Sequence, residues 1–349
     1  MLYQTENPHG GDIYGDPVFL DFSANTNPLG TPEGIQAAIA DALSRIDRYP
    51  DPYCRELTAA IAEHEQLPQE HILCGNGAAE LIYSYCEALR PRRALELAPT
   101  FLEYSLGLER VGCETRRFLL TREEGFLPGE ALLACLKEWK PDAVFLCNPN
   151  NPTGRTLPAA LLHEILCWCG DNKSSLFVDE CFMDLCDRNK SLKGLLAQNP
   201  QLFLLKAFTK SYGMAGVRLG YGLTSDHRLL SLMSRTVQPW NVSGLAQAAG
   251  VAALTEHAFL DRTRAVIQTE RAWLTRELKG LGFWVCPSEA NYLLFHAPDT
   301  LGAALQSHRI AIRSCHNYHG LEPGWYRIAV RLHEENEILI GTIKQIYGR

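Results

Sequence analysis

The sequence predicts an α/β fold with a largely parallel sheet, followed by a smaller α+β unit. Three observations predict it. Between residues 71 and 224, short apolar runs alternate with segments of helical periodicity, as in a parallel sheet buried on both faces. Turns rich in glycine and asparagine, Gly75-Asn76-Gly77 and Asn148–Gly154, follow two of those runs, where such sheets bind ligands. Past Trp240-Asn241-Val242-Ser243 a long helical stretch begins, and strands mixed with helices follow it.

Taken in order, Val18–Phe22 reads as a short strand between two polar clusters, His9–Asp12 and Ser23–Pro28. Thr31 is a suitable N-cap with Pro32 at the first helical position, which predicts a helix to about Ser44. Arg48-Tyr49-Pro50-Asp51-Pro52 is a rigid, extended break, because a residue before proline avoids the helical region. A helix over Tyr53–Glu65 follows it. Strands are then expected at His71–Cys74, Ala94–Ala98, Glu114–Leu119, Ala143–Cys147, Ser175–Val178, Leu202–Leu205 and Leu219–Thr224. Helices intervene from about Ala78, after Phe101 to about Val111, over Gly129–Lys137 and over Pro158–Cys169. Leu245 to about Lys279 carries one stripe of Ala, Leu and Val and reads as a long helical stretch. The last strands are Ala290–Phe295, Ile310–Arg313 and Trp325–Val330. The expected division is an N-terminal arm with part of the small domain (1–44), a large domain (45–244), and a linking helix with the small domain (245–349).

Composition narrows the function. The 349 residues suffice for two or three structural units with a buried core. A net charge of −7 and the lack of a basic stripe argue against general nucleic-acid binding, so an anionic ligand must be drawn by local positive groups. No apolar run approaches a bilayer span, and no signal-peptide pattern is present, so a cytoplasmic protein is expected. The 12 cysteines are scattered without zinc spacing, so they read as reduced structural thiols and no metal is expected.

The chemistry centres on Leu204–Gly222, where a strand ends in a turn carrying Thr209 and Lys210, with Arg218 eight residues beyond the lysine. Lys210 is the candidate for a Schiff base with pyridoxal phosphate, and Arg218 for its phosphate. Asp179, at the end of an apolar strand, could hold a ring nitrogen protonated; it could equally cap the next turn. Asn151, in the turn Asn-Pro-Thr-Gly, could donate to a phenolic oxygen or serve a plain turn. Gly75-Asn76-Gly77 opening a helix is a candidate phosphate cradle. Phe101 could stack on a ring or pack a core, and Tyr49 could reach a phosphate or be structural. Arg313 and Arg327, on or beside apolar strands, each need an anionic partner. Arg331 reads as a surface or salt-bridge residue, and Lys206 as structural.

These parts in this order, GNGAAE, PTF, NNPTG, VDE, TK and VRLGYG, resemble the fold-type I pyridoxal-phosphate enzymes of the histidinol-phosphate aminotransferase group. Within that group the chain is similar to the L-threonine-O-3-phosphate decarboxylases of cobalamin biosynthesis. That likeness lies in His9-Gly10-Gly11, DFSANTNPLG (21–30), RYPD (48–51), PWNV (239–242), IRSCHNYHGL (312–321) and YRIAVR (326–331). The resemblance implies a large domain around a mainly parallel seven-stranded sheet, a smaller α+β domain, and a homodimer with shared active sites. It implies Lys210 as the Schiff-base lysine, Asp179 on the pyridinium nitrogen, Asn151 on the phenolic oxygen and Phe101 on the ring. Arg218, Thr209 and the backbone of Gly77, Ala78 and Ala79 would hold the cofactor phosphate, with Tyr49 coming from the neighbouring subunit. Arg327 would take the substrate's α-carboxylate, beside Asn151, while His9, Asn25 and Arg313 would grip its phosphate. Two departures stand out: Ala207 lacks a hydroxyl common three residues before the lysine, and Ala78 and Ala79 leave only backbone donors in the loop.

The implied reaction converts L-threonine O-3-phosphate to (R)-1-amino-2-propanol O-2-phosphate, a lyase reaction for the aminopropanol arm of cobalamin. The alternative is histidinol-phosphate transamination. Phe182, where aminotransferases of the group place a tyrosine, and the paired HGG and DFSANTNP segments favour decarboxylation. A preference for threonine over serine phosphate leaves no motif, since one methyl group is worth only ~1–3 kcal/mol.

Overall fold

The computed structural model describes residues 8–15 and 17–348. Its main sheet has seven strands: β2 (Ile72–Gly75), β3 (Arg93–Ala98), β4 (Glu114–Leu119), β5 (Ala143–Cys147), β6 (Ser175–Asp179), β7 (Leu202–Ala207) and β8 (Gly220–Leu223). They lie in the order β2-β8-β7-β6-β5-β3-β4, and only β8 runs antiparallel to its neighbours. The central strands are buried on both faces, which is why they read as apolar runs instead of alternating patterns. Register brings Phe145, Phe177 and Phe203 side by side across β5, β6 and β7, with ring centroids 4.9 and 5.3 Å apart. Tyr85, from the helix Gly77–Leu89, packs onto this row. The row fixes the register of the strands that end in Cys147, Asp179 and Ala207.

A second sheet takes the order β12-β13-β10-β9, from Arg313–Ser314 (β12), Trp325–Ala329 (β13), Tyr292–His296 (β10) and Trp284–Val285 (β9). A two-stranded pair, β1 (Leu20–Asp21) with β11 (Ile310–Ala311), joins the N-terminal segment to it. Leu20, Phe22, Leu293, Phe295, Ile328 and Leu339 share one core there. No helix among the described residues is long and apolar enough to cross a membrane. All twelve cysteines are free thiols.

Four sequence expectations need correction. The helix expected from Thr31 is Glu33–Ala42 with Pro32 at its N-cap, because the Thr31 hydroxyl donates to the carbonyl of Gly213 (2.9 Å) instead of capping. The stretch Leu245–Lys279 is two helices, Gly244–Thr255 and Phe259–Gly280. The first packs on Glu33–Ala42 and Arg55–Glu65, the second on His333–Ile346, and one straight helix cannot serve both. Ile310–Arg313 is split between two sheets, so β11 and β12 pair with different partners. The strand expected over Val18–Phe22 is reduced to β1, where two residues meet Ile310 and Ala311.

Candidate active site

A cavity of 370 Å³ opens at the C-terminal ends of β5, β6 and β7. Cys147 and Asp179 face it from the last positions of β5 and β6, and Ala207 from the end of β7. Thr209 and Lys210 follow on the short helix Phe208–Ser211. Buried Phe208 contacts Tyr212 and Tyr221 and anchors this turn, so the lysine leaves the sheet toward the cavity. The opposite wall comes from both chain ends: His9, Gly10, Ser23, Ala24 and Asn25 from one, Tyr318 and Arg327 from the other.

Lys210 is half-buried by surface because it faces the cavity, yet protein surrounds it. Burial, reinforced by the nearby Arg327 and Arg218 charges, brings its amine down to about 8. At pH 7 about a tenth of such an amine is neutral and nucleophilic. Lys206, four residues earlier, behaves oppositely. It is buried between Glu65 (2.9 Å) and Asp184 (3.0 Å), whose charges raise it above the ordinary lysine value against the cost of burial. Tyr221 also donates to Glu65. Lys206 therefore stays an ammonium, as its structural reading requires.

Asp179 accepts from the Tyr104 hydroxyl (2.6 Å) on one oxygen and from the Cys181 N–H (2.8 Å) on the other. Burial raises it above the usual carboxylate value, and those hydrogen bonds oppose the shift. Arg327 donates to the carboxamide oxygen of Asn151 (2.5 Å) and to the carbonyl of Ser23 (2.7 Å). A guanidinium has no acceptor, so this contact fixes the amide's orientation and leaves the Asn151 NH₂ as the end able to donate to a ligand. Asn25 is buried with its side-chain oxygen unsatisfied, an arrangement that costs about 1–3 kcal/mol without a ligand.

Gly77 opens the helix Gly77–Leu89 at φ +79°, and a Cβ there would stand 2.7 Å from a guanidinium nitrogen of Arg218. Arg218 itself has φ +61°, uncommon outside glycine. No side chain caps this helix, so its first N–H groups remain for an anion. Ala78 and Ala79 line the cavity beside Arg218. Phe101 lines it too, with its ring 5.4 Å from that of His9.

Two predicted residues lie apart from this set. Tyr49 is 79% exposed and stacks on Trp240 at 4.4 Å, away from the cavity of its own chain. Arg313 lines a neighbouring space of 570 Å³ that shares His9, Gly10 and Ser23 with the first. Its guanidinium donates to the carbonyls of Pro8 and Ser314 and to Asn317 (2.7 Å). Arg331 pairs with Glu335 (2.6 Å), as expected. Sequence reasoning missed Glu103, Tyr104, Cys181 and Tyr318. Tyr104 and Glu103 sit on a helix whose periodicity says nothing of the Asp179 or His9 they meet.

The aminotransferase class I and II family matches residues 17–343. Threonine-phosphate decarboxylase of Salmonella typhimurium is 38% identical, over 97% of this chain and 96% of that one. Histidinol-phosphate aminotransferase 1 of Cupriavidus pinatubonensis is 30% identical, over 93% and 88%. Among solved structures, the histidinol-phosphate aminotransferase from Clostridium acetobutylicum superimposes with a TM-score of 0.89 at 27% identity, covering 94% of this chain and 99% of that one.

Proposed function

The chain belongs to the class I and II aminotransferase family, and from that premise we propose that it is a pyridoxal-phosphate-dependent decarboxylase of L-threonine O-3-phosphate. The cavity residues fit the cofactor. Lys210 supplies the amine for a Schiff base, and Asp179, its oxygens oriented by Tyr104 and Cys181, suits a protonated ring nitrogen. The Asn151 NH₂ suits the phenolic oxygen, and Phe101 the ring face. Arg218, Thr209 and the uncapped N–H groups of Gly77, Ala78 and Ala79 suit the phosphate. When bound, pyridoxal phosphate supplies an electron sink for a bond broken at the substrate's α-carbon.

The observation that carries the substrate class is a pair of buried arginines. Arg313 and Arg327 are cross-strand neighbours on β12 and β13, and neither has a carboxylate partner among the described residues. Two buried, like-charged side chains call for an anionic ligand. A phosphorylated amino acid brings two anionic groups: its carboxylate to Arg327 beside Asn151, its phosphate to His9, Asn25 and Arg313. Held at both ends by these residues, the substrate would be fixed in one orientation, and orientation decides which bond at its α-carbon the cofactor's electron sink would act on. The 38% identity to a threonine-phosphate decarboxylase, against 28–32% to several histidinol-phosphate aminotransferases, supports this reaction over histidinol-phosphate transamination. The amine formed would be the aminopropanol phosphate of cobalamin synthesis.

We further infer a homodimer, with Tyr49 reaching the cofactor phosphate of the partner subunit. Exposed Leu43, Ile46, Tyr49, Tyr53 and Trp240 supply an apolar face for it. We take residues 1–44 as the N-terminal arm and part of the small domain, 45–244 as the large domain, and 245–349 as the linking helix and small domain. The test is direct. The full chain loaded with pyridoxal phosphate should release CO₂ from L-threonine O-3-phosphate without any keto acid. Glutamate formation from histidinol phosphate and 2-oxoglutarate, with no CO₂ release, would reverse the assignment.

A further inference from the structure

The wall of the cavity next to His9 holds a carboxylate. Glu103 is the first residue of the helix Glu103–Arg110, and its side chain is 12% exposed. One oxygen meets His9 Nε2 at 2.5 Å, and the other accepts from the Tyr83 hydroxyl at 2.5 Å. Arg110 lies over the Tyr83 ring at 4.1 Å, so the phenol is held from the far side. Both Glu103 and His9 line the cavity.

Negative charge here is unexpected if an anion binds beside it. Like charges in a partly buried site repel each other strongly, since the local dielectric is low. The contradiction resolves through the histidine. His9 Nε2 engages one carboxylate oxygen and the Tyr83 hydroxyl the other, so both oxygens of Glu103 are engaged within the protein. The carboxylate itself is held below its ordinary value, first by the hydrogen bond from His9, then by Tyr83 and the charges of His9 and Arg110 against burial. An acidic residue in the first turn would also favour the helix dipole. That role alone needs neither His9 nor Tyr83.

We propose that Glu103 is a positioning residue that orients His9, and so makes the cavity selective for a phosphorylated amino acid over its unphosphorylated counterpart. The inference rests on the substrate class proposed above. It assigns Glu103 no contact with the substrate. The neighbouring contacts agree with it. Arg313 and Asn317 hold the carbonyl of Pro8 just before the histidine. Gly10 just after it leaves no space for a Cβ, which would meet the Ser23 carbonyl oxygen at 2.4 Å. The main chain on either side of His9 is thus held, and the contact with Glu103 holds the ring.

The test uses the full chain loaded with pyridoxal phosphate. Binding of L-threonine O-3-phosphate and of L-threonine is followed by the absorbance of the bound cofactor, and inorganic phosphate serves as a competitor. Glu103→Gln should weaken the phosphate ester and inorganic phosphate about tenfold, the range of a hydrogen bond involving a charged group. It should weaken L-threonine less than about twofold. In a His9→Ala background the same change should add almost nothing, because its action runs through the ring. Equal weakening of both amino acids, or an undiminished effect without His9, would overturn the proposal. Should Glu103→Gln not yield folded protein, Tyr83→Phe replaces it and should give a smaller loss confined to the phosphorylated ligands; a loss shared by L-threonine would again overturn it. A parent protein that fails to prefer the phosphate ester contradicts the proposed function. The inorganic-phosphate arm still reads the coupling between Glu103 and His9 in that case.

Discussion

Lys206 and Lys210 lie on one strand-to-helix turn, and the sequence distinguishes them by the Thr209 beside Lys210 and by their distance from Arg218. The structure distinguishes them by what surrounds each. Lys206 is flanked by two carboxylates, while Lys210 faces two guanidinia and a cavity. Lys210 therefore binds its proton less firmly in the fold than in the unfolded chain. Below about pH 8 both states are protonated, and the fold carries the full cost of the buried charge. Between about pH 8 and the ordinary lysine value of ~10.4 the unfolded chain holds more protons, so stability rises with pH. Cofactor-free Lys210→Met should accordingly melt above the cofactor-free parent at pH 7, with the gap narrowing by pH 10. The Glu65 carboxylate is displaced the other way: the Lys206 and Lys193 charges hold it far below the usual range despite burial. Its contribution is present above the ordinary glutamate value and is lost as pH falls through the depressed one. Glu65→Ala should cost about 3–5 kcal/mol in urea unfolding at pH 7, because it deprives a buried ammonium of one of its counter-charges.

At the level of elements, the parallel sheet was legible because its strands are apolar on both faces and their ends carry turn residues. Glu114–Leu119 and Ala143–Cys147 were placed to the residue. Strands with short pairings and helices in series were less legible. Nothing in the apolar stripe of 245–279 marks Glu256 as the place where the backbone leaves the helix, at ψ 58°. Two tertiary partners impose that break, and neither is visible in a local pattern. The site follows the same division. Residues at strand ends could be assigned roles from sequence, whereas Glu103 and Tyr104 owe theirs to contacts 94 and 75 residues away. The start of the helix Gly77–Leu89 offers a test of the phosphate cradle. Gly77→Ala puts a methyl group against Arg218 in a left-handed backbone, and should raise the dissociation constant for pyridoxal phosphate at least about tenfold. Cofactor retained after dialysis measures it, and L-threonine binding by the remaining holoenzyme should be affected less.

At the level of the molecule, Tyr49 is out of place in a single chain. Tyr49 is 79% exposed and stacks on Trp240, whose backbone is at φ +60°, so the pair has a defined geometry but faces solvent. The assembly proposed above accounts for it. Trp240→Glu should shift the sedimentation of the protein toward a monomer and lower cofactor retention in parallel; a monomer with full retention would separate Tyr49 from the cofactor. The cavity also joins distant parts of one chain. Arg327 holds the carbonyl of Ser23 across 304 positions, and Arg313 that of Pro8 across 305. The seven strands of the main sheet, by contrast, all lie between Ile72 and Leu223. During synthesis, the segment from Gly77 to Arg218, proposed above to hold the cofactor, is therefore made before the strand bearing Arg327 has left the ribosome. The segment bearing His9 and Ser23 must wait for that strand before this wall of the cavity can close. Until that strand is made, the nascent chain can display Lys210 but lacks the wall that Arg327 and Ser23 form across the cavity.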